Sequence, residues 1–477
     1  MNVKSACRTL LQGKMNRRLL PLIFLAAGFV YLLFLAALNK AYNMDEFEHV
    51  HSAWYIVHGF VPYRDFFQHH NPLLWYLIAP VIALAGENAG ILICLRMAMF
   101  ALALSTAAAA SAIAGKVSSR REAPWYCLIL LLSCTLFVEK AVEIRPDVPM
   151  TLFGTLSVYF FIRHHDCANP REMVLSGLSA ALAYLFLQKA VFLYAALSVL
   201  VVVKAARKEM PMKTLLLFFL CLMAGPVLIF AYYAFQGALY DYSLNAYVLN
   251  VSKLYSFSAW KFLLSTLRWN TGFWVLALAG ILYGTATFRR NEKLGSLSLL
   301  GVMLFLPVLF VKTPWKQYYL PALALFSAVG ACFLARVLEK ARSGALLGFM
   351  LMAVIVFKPM LFLAQYRENR NRSQIELVEY VAENTRPDDL VYDGRNQFNL
   401  FRRDLHYFWY STGENRNLFV YNALTGNRYG DYDVCSLIRE KRPRVISDYL
   451  VDRKDCSVLN RYKRIDGFNV YMETNRP

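Results

Sequence analysis

Apolar runs of about 20 residues, separated by short basic segments, recur along this chain and constrain its fold more than any other feature. A backbone crossing a bilayer has to satisfy every N–H and C=O internally, so such runs become helices. The first, Leu19–Leu38, is long enough to span. It exceeds a signal-peptide core and no small-residue cleavage site follows, so it reads as a signal anchor and first span. Composition agrees: 58% of the 477 residues are hydrophobic and 17% charged. A soluble domain lies nearer half and a quarter. The fold class expected is a polytopic, all-α membrane protein.

Charge sets the topology. The first 18 residues carry Lys4, Arg8, Lys14, Arg17 and Arg18 without an acid, which predicts a cytoplasmic tail. The next strongly basic loop holds Lys116, Arg120 and Arg121 and should also be inside. Only an odd number of crossings fits between two inside loops and the outside segment after the first span. Two runs lie there, Leu73–Leu84 and Ile91–Ala114, and the former is too short to cross. Leu73–Leu84 is therefore expected as an interfacial helix within a first outer loop over 40–88. Further spans are expected near 124–140, 148–162, 173–187, 190–203, 213–234, 271–288, 295–311, 316–337 and 343–363. That makes about eleven, so 19–365 reads as the membrane domain. The pattern beyond it, an amphipathic helix and then short strands, predicts a small α/β domain over 366–477 on the outer side.

The net charge of +19 is concentrated between apolar runs, which is the positive-inside footprint and not a phosphate-binding stripe; nucleic acid is excluded as a partner. None of the nine cysteines forms a CxxC pair; Cys435 and Cys456, if outside, are able to pair.

Unusual polar groups collect on the outer face. The stretch Asn43–Tyr76 holds Asp45, Glu46, Glu48, Asp65 and five histidines among aromatic residues. Asp147 begins the fourth span, Lys189 sits between two apolar runs, and Lys312 and Lys316 precede a late span. Charges at membrane depth are costly and mark functional sites by default. Each also has a structural reading. Asp147 after Pro146 fits a first-turn acid, Lys189 a snorkelling residue, and Asp45-Glu46 an N-cap pair. No histidine spacing specifies a metal, and no cofactor follows from the sequence, although Glu46 and His49 are placed to share a divalent ion, with His49/His51 or His69/His70 able to add ligands. Most histidines other than His70 read as polar surface at headgroup level.

Carboxylates and cations together on the outer face of a helical bundle suit transfer from a lipid phosphate. Cations stabilise the leaving phosphate, a carboxylate takes the proton of an attacking hydroxyl, and an apolar channel holds the lipid.

The ordered motifs resemble the class C glycosyltransferases of the protein O-mannosyltransferase and aminoarabinose lipid A transferase type. They are Asp45-Glu46; Ala53 to Phe66 in the form A-x-x-x-x-x-G-x-x-P-Y-x-D-F; Pro72-Leu73 with Trp75-Tyr76; Arg145-Pro146-Asp147; Lys189; and Lys312 with Tyr318 and Pro321. The resemblance covers about 360 residues. It implies catalytic roles for Asp45, Glu46 and Asp147, with Asp45 as base. It implies that Lys189, Lys312, Tyr318, Arg145 and His70 hold a donor phosphate. The aminoarabinose transferases have Lys-Pro-Pro-Leu where this chain has His70-Asn71-Pro72-Leu73, so His70 stands in the lysine position and the sugar is left open.

The expected function is inverting transfer of one sugar from a polyprenyl (undecaprenyl) phosphate to a hydroxyl of an envelope glycolipid such as lipid A, another glycan, or a protein. The expected place is the outer side of a bacterial inner membrane. A transporter or flippase of lipid-linked glycans is the other class the sequence allows. The Tyr- and Asn-rich loop Gln236–Trp260, together with the C-terminal domain, is the candidate for acceptor binding.

Overall fold

The computed structural model describes residues 19–252, 256–340, 344–395, 397–409, 417–429, 433–447 and 460–474. The basic N-terminal tail and Cys456 lie outside these residues; Cys435 is disulfide-bonded.

Each of the eleven segments expected to span is helical. The membrane part begins with α1 (Leu20–Asn39), α2 (Met44–Val57), α3 (Leu73–Ala85) and α4 (Ile91–Val117). It continues with α5 (Ala123–Ser133), α6 (Thr135–Ala141), α7 (Asp147–Cys167), α8 (Pro170–Phe186), α9 (Val191–Ala206) and α10 (Met212–Phe235). After the outer connection come α11 (Ala259–Trp269), α12 (Thr271–Ala286), α13 (Glu292–Phe310), α14 (Leu320–Val337) and α15 (Gly344–Leu363). Among the described residues, seven helices are long and apolar enough to cross a membrane, or eight when α5 and α6, bent 70° apart, count as one span. The remaining three of the eleven are α7, with its Asp147 and polar C-terminal turn, and α8 and α12, which have 17 and 16 residues. α3 has 13 residues and cannot cross on its own, as its short apolar run predicts.

Helix approach in lipid relies on small residues and not on hydrophobic burial. Here α8 and α10 meet at Gly177 and Gly225. A Cβ on Gly177 would lie 2.8 Å from the Phe218 carbonyl oxygen, and one on Gly225 would lie 2.7 Å from that of Ala181.

The C-terminal part packs α16 (Arg372–Glu383), α17 (Asn417–Thr425) and α18 (Val434–Lys441) with a five-stranded sheet. Its strands are β1 (Leu390–Tyr392), β2 (Arg403–Asp404), β3 (Val445–Ser447), β4 (Tyr462–Arg464) and β5 (Val470–Glu473), in the order β2-β1-β3-β5-β4. The central β1–β3 pair is parallel and β3–β5 is antiparallel.

This domain clamps the first outer loop onto the bundle. His51 Nδ1 lies 3.0 Å from the Leu400 carbonyl, and its Nε2 lies 2.7 Å from Asp404 Oδ2. Tyr55 donates to the same carboxylate. Tyr407 donates to the Tyr63 carbonyl, and the Trp409 indole donates to that of Phe67. His49 and His51 are fully buried, which corrects their reading as headgroup-level surface. Part of the 236–260 stretch, read as an acceptor surface, is spent on internal contacts. Tyr242 and Asn245 are fully buried, Tyr242 donating to Asn71 Oδ1 and Asn245 to the Tyr407 hydroxyl. The aromatic content of that segment welds the outer loop to its neighbours.

Candidate active site

α2 starts immediately outside α1, and its first turn faces two ways. Asn43 caps it, accepting from the Asp45 N–H, while the Glu46 carboxylate takes the Asn43 N–H at 2.9 Å. This reciprocal cap satisfies two of the helix's orphan donors. Successive helical residues lie about 100° apart, so Asp45 and Glu46 serve different partners.

Glu46 is turned into the bundle. Arg96 on α4 grips it with two charge-assisted bonds, Nε to Oε2 at 2.8 Å and Nη2 to Oε1 at 2.6 Å, and both side chains are fully buried. The Ile144 N–H adds a bond of 3.1 Å, and the guanidinium lies 3.8 Å over the Tyr42 ring. The capping reading prevails for Glu46: its oxygens are spent on Asn43, Ile144 and Arg96.

Asp45 faces the loop before α7, where Arg145 donates to it. The Asp45 side chain keeps 30% of its surface exposed, whereas those of Glu143 and Asp147 keep none. Arg145 also lies 3.5 Å from Glu143 and 3.5 Å from Asp147. Burial works against the guanidinium charge, but Asp45, Asp147 and Glu143 more than offset it and hold Arg145 protonated. Glu143, between the spans expected near 124–140 and 148–162, accepts from Lys40 at 2.5 Å and Lys140 at 2.8 Å. Burial opposes its ionisation, yet Lys40, Lys140 and Arg145 hold its carboxyl well below the usual range.

Asp147 follows Pro146 in the first turn of α7, where the helix dipole favours an anion. Its Oδ1 lies 3.6 Å from Lys189 Nζ, an ion pair beyond hydrogen-bond reach. Lys189 sits in the 3₁₀ turn Gln188–Ala190 between α8 and α9, and its ammonium lies 3.6 Å over the Tyr318 ring. Lys189 Nζ, Arg145 Nε and both Asp147 oxygens are buried without a hydrogen-bond partner among the described residues. A cavity opens from this point. Its polar end is Asp147, Lys189 and Tyr318, and its apolar wall includes Leu193, Val308 and Leu325.

The structure thus brings together Asp45, Arg145, Asp147, Lys189 and Tyr318 from four segments. Lys312 is set apart: it is exposed, does not line the cavity, and gives its backbone carbonyl to Phe257 N–H. Neighbouring Lys316 pairs with Glu139 at 2.9 Å. His70 is buried beside His49, with ring centroids 5.6 Å apart. The Trp75 indole N–H donates to His49 Nδ1 at 2.9 Å, so the neutral His49 ring carries its proton on Nε2. Burial, reinforced by nearby Arg145, lowers His49 to about 3 and keeps it neutral. Burial likewise lowers His70 well below the ordinary histidine value. Sequence reasoning missed Arg96, Glu143 and His49 as parts of this network. An arginine within the apolar run of α4 was the one available signal.

The family model described as dolichyl-phosphate-mannose-protein mannosyltransferase matches residues 69–230. No curated protein matches the chain by sequence. Solved structures do match its fold. Apo ArnT from Cupriavidus metallidurans superposes with a TM-score of 0.66 over 90% of this chain and 94% of that one, at 12% identity. The same protein bound to undecaprenyl phosphate gives 0.61 over 80% and 84%, also at 12% identity. The apo oligosaccharyltransferase of Archaeoglobus fulgidus gives 0.59 over 91% of this chain and 70% of that one, at 14% identity. The chain shares the multi-pass membrane fold of these proteins.

Proposed function

We propose that this chain is an inverting membrane glycosyltransferase that moves one sugar from a polyprenyl phosphate, such as undecaprenyl phosphate, to a hydroxyl of a cell-envelope acceptor. One observation carries the reading. Lys189 Nζ, at the polar end of an apolar cavity, and Arg145 Nε, 3.5 Å from Asp147 of the same cavity, are buried donors with unfilled hydrogen-bonding capacity. An unsatisfied buried charged donor is expensive, and a phosphate oxygen is the partner such cations accept best. The prenyl chain lies along Leu193, Val308 and Leu325, and the phosphate meets Lys189 and Arg145.

Asp45 is the base, because it alone among the carboxylates around Arg145 keeps solvent access. It takes the proton of the acceptor hydroxyl as the hydroxyl oxygen bonds to the anomeric carbon. The bond from that carbon to the phosphate oxygen breaks on the opposite side, which inverts the centre. The phosphate departs with the electron pair, its charge met by Lys189 and Arg145. Asp147 holds Lys189 and Arg145 in register. The acceptor is a lipid A-type glycolipid, another envelope glycan or a protein. The site faces the outer side of a bacterial inner membrane, with the N-terminus cytoplasmic and the α/β domain over 366–477 extracytoplasmic.

The test is reconstitution of the full chain in nanodiscs with polyprenyl-phosphate sugars and an envelope extract. Release of free polyprenyl phosphate together with a glycosylated product is expected. Movement of intact sugar lipid between leaflets without product would mark a transporter and end the proposal. Mass spectrometry of envelope glycolipids and glycoproteins from a deletion strain names the sugar and the acceptor.

A further inference from the structure

We propose that Glu48, His69 and His70 form a divalent transition-metal site of the zinc type in the outer-loop wall of the candidate active site. Each residue offers one ligand atom, and the three atoms lie within 4.8 Å of one another. Ligands of a tetrahedral zinc at ordinary bond lengths stand about 3.4 Å apart. Closure therefore needs the ligand atoms to draw together by at most about 1.4 Å. Two imidazoles and one carboxylate are the donor set of open zinc sites, with a fourth position left for water or an anion. Imidazole ligands favour zinc, copper, nickel or iron over magnesium or calcium.

Burial and rigidity support the assignment. Glu48 is 3% exposed and His70 is 8% exposed. His70 Nδ1 has no hydrogen-bond partner among the described residues. A buried imidazole nitrogen left in that state is costly unless something binds it. The segment that carries the two histidines is fixed from several sides. The His69 carbonyl accepts from Gln188 Nε2 at 2.7 Å and from Asn250 Nδ2 at 2.8 Å. Tyr63 donates to the His70 carbonyl, and the Asn71 N–H reaches Gln188 Oε1 at 3.1 Å. The helix that carries Glu48 is tied to the same segment, because Ser52 accepts from Gln68 at 2.7 Å while donating to the Glu48 carbonyl at 2.7 Å. Main-chain atoms that cannot shift hold ligands at a set distance, as metal sites require.

The position gives the ion a consequence. Gln188 adjoins Lys189, so the proposed site borders the cation at the polar end of the cavity. One carboxylate against a dication leaves positive charge in that wall, and the open position points to an anionic ligand as its fourth donor.

Binding of the ion is measured without the transfer reaction, so this assignment and the proposed function stand or fall separately. The full chain, purified without a histidine tag and stripped with a chelator, is titrated with zinc alone and with cobalt(II) alone. One ion per chain is expected, with the visible cobalt absorption of a tetrahedral N/O site. His70→Ala and Glu48→Gln should each weaken zinc binding by more than about tenfold, the lower end of what even outer-shell changes cost. Asp45→Asn and Asp147→Asn should bind as the wild type does. A wild-type chain that takes up no stoichiometric ion would overturn the assignment. So would unchanged affinity in Glu48→Gln, which carries the test alone if His70→Ala fails to fold. Loss of the ion in Asp147→Asn, with retention in Glu48→Gln, would place the ion on the acids instead and equally overturn it.

Discussion

Glu46 and Arg96 make a buried pair whose removal separates scaffold from chemistry. Arg96→Leu leaves the Glu46 carboxylate with the Asn43 and Ile144 N–H groups but without its guanidinium. Both side chains are fully buried, so no water replaces it. Breaking one side of such a pair costs about 3–5 kcal/mol. Glu46→Gln should cost a similar amount, because it strands the Arg96 charge. The double variant Arg96→Leu/Glu46→Gln removes both charges and keeps an amide oxygen for one of the two N–H groups. It should be no less stable than either single variant, which means a coupling of about 3 kcal/mol or more, at the upper end for residues in contact. Thermal unfolding of the full chain in one detergent measures all four proteins, and the double variant should turn over substrate once folded. The refuting result is a Glu46→Gln protein that melts like the wild type and has no turnover, because the carboxylate would then be chemical and not structural.

Asp45→Asn should lower turnover by about 10²–10⁴-fold, the usual worth of a general base, with binding of polyprenyl phosphate roughly unchanged in a direct lipid-binding assay. Lys189→Ala removes one charged donor worth about 1.5–3 kcal/mol and should weaken polyprenyl phosphate binding by about 10–150-fold; unchanged affinity would leave only a headgroup-anchoring role. His51→Ala deletes the bonds to Leu400 and Asp404 and should raise the rate of limited proteolysis in the C-terminal domain without altering the bundle's melting. Gly225→Leu drives side-chain atoms against the Ala181 carbonyl and should destabilise the protein by about 1–3 kcal/mol in the same melts.

The helices were legible because span length and apolarity are local properties, and the charge pattern fixed which loops face together. That placed Asp45, Asp147 and Lys189 on one face before any contact was known. What the sequence hid were pairings across distance. Arg96 lies 50 residues from Glu46, and Asp404 lies 353 residues from His51. Neither pairing leaves a periodic trace. Glu48 sits one position from His49 on the same helix, yet only the folded loop brings it to His69 and His70. The histidines were misread for a related reason: a polar residue beside a membrane face reads as surface until a second domain is seen to cover it.

That cover has a schedule. The bonds from Tyr55, Tyr63 and Phe67 to Asp404, Tyr407 and Trp409 join positions 349, 344 and 342 residues apart. At synthesis rates of about 5–20 residues per second, the outer loop waits roughly 17–70 s for its lock. Every newly made copy therefore passes through an interval in which the bundle is largely inserted but the loop that carries Asp45 is unlatched. The loop is latched by the last fifth of the chain, and a copy interrupted before Asp404 leaves the ribosome without these bonds.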